Sequence, residues 1–126
     1  MNSEKVVFAF FIVLALTLNF GFFLGDIDNP DHHNVYELYA AIVVSIIATI
    51  MKFGDRTHVG AVLLATSFVA DLQLVAGAIV WAVATNMDIG LSSHMMASIV
   101  SLSAGALLAN ITSVILLILE TIMVRH

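Results

Sequence analysis

Four long apolar runs, at residues 5–24, 36–53, 58–84 and 93–124, take up most of this chain and constrain its fold more than any other feature. A helical apolar stretch of about 20 residues matches the ~30 Å hydrocarbon core of a bilayer. Helices and closed barrels are the only backbones that satisfy all their polar groups there. Composition points the same way: of 126 residues, 61% are hydrophobic and 10% charged, against about 25% charged in ordinary soluble domains. A soluble fold with so little polar surface would expose large apolar patches. The expected fold is all-α: a single polytopic membrane domain over residues 1–126, with four transmembrane helices.

The first run follows Lys5 and is long enough to span. Acidic Asp26-Ile27-Asp28 comes after it where a secretory signal would carry small residues, so it reads as a retained helix. Gly25, Asn29 and Pro30 among the aspartates then favour a turn. Gly54-Asp55-Arg56 breaks the second run, with Asp55 or Thr57 as a candidate cap for the third helix, and Ser92 or Ser93 can cap the fourth. The third and fourth runs exceed what an upright crossing needs, and tilt or protrusion absorbs the excess. All four basic residues, Lys5, Lys52, Arg56 and Arg125, fall on one face after four crossings. The positive-inside rule makes that face cytoplasmic, an N-in/C-in topology. The other face carries Asp26, Asp28, Asp31, Glu37 and Asp88. Phe22, Phe23, Tyr36, Tyr39, Phe53 and Trp81 sit toward span ends, as in an interfacial belt. The expected location is a bacterial inner (plasma) membrane.

Asp71 carries the strongest chemical signal. It lies near the middle of the third run, where insertion of an aspartate costs about 2.5–3.5 kcal/mol. Water, a cation, hydrogen bonds or a bound proton must offset that cost. A cation site, a proton carrier and a pore-lining carboxylate are the functional readings; a hydrogen-bonded aspartate holding helices together is the structural one. At about 100° per residue, Gly60, Ser67, Asp71, Ala78 and Thr85 share a narrow stripe, while Gln73 points about 200° away from Asp71. One bundle is expected to struggle to bury both, which would leave one of them to another subunit. Asn110 lies at nearly the depth of Asp71, and Thr17, Asn19, Ser45, Thr49 and Ser103 add polar groups that together form a plausible seam. The candidate ion pathway or proton site is therefore Asp71, Gln73, Asn110 and Ser67.

On the fourth run, Ala97, Ser101, Gly105, Ala109 and Ser113 recur every four residues. Small residues at that spacing let helices approach closely in lipid, within one subunit or between subunits. In the loop after the first run, Asp26, Asp28 and Asp31 make a candidate acidic mouth, which concentrates cations or is simply a solvated loop. Asp28, Asp31, His32 and His33 are candidate metal ligands, but not as an EF-hand, which Pro30 rules out, and the adjacent histidines lack helical ligand spacing. Glu120 is expected to pair with a basic residue at its own end of the molecule.

Cysteine is absent, and no nucleophile triad, glycine-rich phosphate loop, zinc helix motif or basic nucleic-acid patch is present. The chain is therefore read as a non-enzyme without a cofactor and without a nucleic-acid partner. Its expected partners are bilayer lipid, cations and further copies of itself. In length and span number it is similar to the small multidrug transporters, but those place their essential carboxylate in the first span, where this chain has Asn19. Uniform placement of the basic residues also sits poorly with dual topology. The function expected is membrane transport, as a homo-oligomeric cation channel with Asp71 near the pathway. The alternatives are a non-transporting subunit of a larger membrane complex and a proton-coupled carrier.

Overall fold

A computed structural model describes residues 3–25, 29, 33–54, 58–86, 90 and 92–124. Each apolar run becomes one helix: α1 (Ser3–Phe23), α2 (Val35–Lys52), α3 (His58–Thr85) and α4 (Ser93–Val124). All four are long and apolar enough to cross a membrane, and no strand occurs among the described residues. The all-α, four-span architecture expected from the sequence is the architecture observed. Boundaries agree to within two residues.

The ends show why the runs stop where they do. Gly25 follows α1 at φ 100° and Gly54 follows α2 at φ 90°. Both take the left-handed conformation that closes a helix and that side chains with a Cβ resist. Asn34 caps α2, its Oδ1 accepting from Tyr36 N at 2.9 Å, and Ser92 caps α4 by accepting from Met95 N at 3.1 Å. These bonds satisfy amides that a helix start leaves without an internal partner. Asp55, Thr57 and Arg56 lie outside the described residues.

Packing follows a heptad. Phe8, Ile12, Ala15, Asn19 and Phe22 are buried on α1; Leu38, Ala41, Ser45, Ala48 and Lys52 on α2. On α3 the series is Gly60, Leu63, Ser67, Ala70, Leu74 and Gly77, and on α4 it runs from Met96 through Ser103, Ala106, Asn110 and Ser113 to Leu117. Alternating steps of three and four residues keep one seam of each helix turned inward, as in a four-helix bundle. The helices form a closed ring in which α1 packs on α2 and α4, and α3 packs on α2 and α4. Outward positions are large and apolar, such as Leu72, Ile79, Leu108 and Ile118, which suits contact with lipid. The inward face is the more polar one.

That polarity divides the core. One apolar cluster, around Phe22, Leu38, Leu74, Ile99 and Val100, fills the half next to the α1–α2 connection. A second, around Phe8, Ile12, Leu63 and Leu117, fills the other half. Ser45, Thr49, Ser67, Asn110 and Ser113 lie buried between them. At the basic end, Lys5 Nζ pairs with Glu120 Oε1 at 3.3 Å, as expected for Glu120. Lys52 is buried there with its ammonium 4.3 Å from the centre of the Phe8 ring.

Candidate functional site

Asp71 lies thirteen residues from one end of α3 and fourteen from the other, roughly 20 Å from each at 1.5 Å per residue. Two hydroxyls from α2 hold it. Ser45 Oγ donates to Oδ1 at 2.5 Å and Thr49 Oγ1 donates to Oδ2 at 2.5 Å. The spacing of Ser45 and Thr49, four residues on a helix, stacks their side chains one above the other on the same face. One carboxylate can therefore bridge both.

A proton inventory shows what this arrangement can do. Thr49 Oγ1 also lies 2.9 Å from Ser45 O, yet a hydroxyl has a single proton to give. With Asp71 ionised, that proton goes to Oδ2. With Asp71 protonated, Oδ2–H donates to Thr49 Oγ1, which turns its own proton to Ser45 O. Both states are fully bonded, and they differ by a hydroxyl rotation. The site can gain or lose a proton without moving a helix.

Gln73 corrects one expectation. Because α3 sits between α2 and α4, the buried face of α3 has two flanks: Asp71 leans on α2 and Gln73 on α4. A single bundle engages both, so their opposed directions do not require a second subunit. Gln73 packs against Gly105 so closely that a Cβ there would collide with the amide. Gly105→Val is therefore expected to destabilise the fold by about 1–3 kcal/mol through overpacking. Thermal unfolding in detergent measures this, and a Gln73→Ala change in the same chain should restore most of the loss.

The small-residue series on α4 does not make one face. Each step of four residues advances about 40° around the helix, so the series winds from outside to inside. Ser101 is exposed and Ser113 fully buried. Gly105 meets α3, and Ser113 Oγ lies 2.6 Å from Thr66 Oγ1 of α3. Ala97 and Ser101 line an open groove on the outer side of α4 together with His94 and Ser98.

Of the other candidates, Ser67 and Asn110 are fully buried facing the bundle axis. Ser67 Oγ and both side-chain polar atoms of Asn110 have no hydrogen-bond partner among the described residues. Asn19 accepts a hydrogen bond from Ser103 Oγ across the α1–α4 contact. Thr17 and Thr85 bond back to their own helices. The acidic mouth residues Asp26, Asp28 and Asp31, and His32, lie outside the described residues. His33 is buried, its Nδ1–H donating to Phe22 O at 2.5 Å with its ring 5.4 Å from that of Phe22. The described residues hold no cluster of three metal-ligating side chains.

Sequence reasoning weighed Ser45 and Thr49 only as generic polar groups and did not join them to Asp71. Their four-residue spacing near mid-span was the available signal. The burial of Lys52 had no signal, since a lysine at a span end ordinarily reaches for water.

The chain belongs to the family DUF6394, a family of unknown function, whose profile matches residues 32–121. No curated protein and no solved structure matches it.

Proposed function

We propose that this protein moves cations across a membrane, with Asp71 as the exchange site inside the bundle. The observation that carries the reading is a mid-span carboxyl held by two hydroxyls, one of which also reaches a backbone carbonyl, so that the bonds can rearrange around a gained or lost proton. An ionisable group at that depth marks an ion or proton route more often than a structural post. In the N-in/C-in orientation, the loop bearing Asp26, Asp28 and Asp31 faces outward and concentrates cations near the bundle. Copies of the chain associate through the outward small residues Ala97, Ser98 and Ser101, where a second helix can approach closely.

The test is cation flux into liposomes containing the purified chain alone, across a range of voltage and pH. Flux that exceeds protein-free vesicles and falls in Asp71→Asn supports the proposal. No flux under any condition would favour a second reading, which the satisfied geometry of Asp71 also supports: a structural subunit of a larger complex, with Asp71 clamping α2 to α3. Subunit number follows from native mass spectrometry, where a monomer would remove the homo-oligomer.

A further inference from the structure

We propose that Ser67 and Asn110 hold internal water at the waist of the bundle and that this water passes protons to Asp71, making the proton the transported cation. The second half of this statement rests on the transport reading above; the water site does not.

The register of α3 against α4 brings the groups together. Thr66 meets Ser113 and Gln73 meets Gly105, so Asn110 falls at a level between Ser67 and Asp71. Ser67 and Asp71 are one helical turn apart, about 6 Å along the axis. Ser67 and Asn110 are both 0% exposed. Between them they present three polar atoms without a hydrogen-bond partner among the described residues. Leaving such atoms unsatisfied costs about 1–3 kcal/mol each, and lipid offers nothing to bond them. An internal water typically makes about three hydrogen bonds, which is what an amide N–H, an amide carbonyl and a hydroxyl supply.

Two further features fit water here. The apolar core is interrupted at this level, with separate clusters on either side. The same registers bring the small edges of these clusters, Ala70 and Ala106 of one and Ala48 of the other, together with Ala15 around the axis beside it, all four fully buried. Four methyl side chains take up less room than the leucines and phenylalanines of the flanking layers.

The bundle also selects among cations. Ile12, Leu63, Leu74 and Val100 are fully buried and fill the axis above and below the waist. Such packing excludes a hydrated metal ion, whereas a proton can pass beside these side chains along hydrogen-bonded groups, Asn19 and Ser103 on one side of the waist and Thr66 and Ser113 on the other. In the transfer, a hydronium at Asn110 or Ser67 gives its proton to Asp71 Oδ2. The new O–H bond leaves neutral water behind, and Thr49 turns its hydroxyl toward Ser45 O. The reverse step releases the proton. Asn19 Nδ2, also fully buried and without a partner among the described residues, extends the line toward the α1–α2 connection.

Water-edited solid-state NMR on the full chain in bilayers tests the site. Magnetisation from water is expected to reach the Asn110 side-chain amide as it reaches the exposed Asn86, while the amide of Ile99, fully buried and well away from the waist, stays dry. Ser67→Ala, a change small enough to keep the fold, should weaken that transfer. It should also lower proton flux into liposomes, followed with a trapped pH dye, by about tenfold. An Asn110 amide as dry as Ile99 would overturn the water site. A wet Asn110 with proton flux unchanged in Ser67→Ala would overturn the relay. A wet Asn110 in a wild-type chain that passes no cation at all would uphold the site and remove the transport reading instead.

Discussion

Reconstituted Asp71→Asn protein is expected to pass cations about a hundredfold more slowly than wild type, with an unchanged unfolding temperature. The reason lies in how well asparagine fits the bonds already present. Its Oδ1 accepts from Ser45 as the carboxylate does, and its Nδ2 donates to Thr49 Oγ1, which then donates to Ser45 O. Every bond around the side chain survives. What disappears is the capacity to carry charge or exchange a proton. A structural clamp would tolerate this change in every assay, so wild-type flux in Asp71→Asn would remove Asp71 from the pathway. A lowered unfolding temperature would instead show that its charge is needed for the fold.

Removing the partners should be worse for stability than removing the acid with them. In Ser45→Ala/Thr49→Val the carboxyl stays at mid-span without a donor, and the expected loss is about 3 kcal/mol. Adding Asp71→Leu removes the stranded group, and the triple variant should recover most of that loss. Chemical denaturation in mixed micelles gives both values. If the triple variant is no more stable than the double, the three side chains are not one unit. Hydrogen bonds between transmembrane helices often contribute only about 0.6 kcal/mol. The large figure expected here comes from leaving an ionisable group unpaired, not from the bonds themselves.

Much of the fold was legible because lipid makes a blunt demand. Twenty apolar residues in a row must be helix, and glycine with clustered aspartate must end it; spans read at 5–24 and 36–53 became Ser3–Phe23 and Val35–Lys52. Asp71 was legible as well, since a charge at that depth stands out against its neighbours. Its partners were harder to see. Serine and threonine bond back to their own helix so often, as Thr17, Thr85 and Thr112 do here, that a hydroxyl alone says nothing about what it faces. Gln73 was misjudged because two side chains about 160° apart seem irreconcilable until the ring order of the helices is known.

Sequence by itself therefore determined the number of helices, their ends, their solvent and the depth of the acid, because each depends only on local composition and on rise per residue. Tertiary structure decided that α3 sits between α2 and α4, that Ser45 and Thr49 meet Asp71, and that Ser67 and Asn110 turn toward the axis. Those outcomes depend on the rotation of each helix about its own axis and on the order of the ring. Both are set by packing among all four helices at once, which no single run encodes.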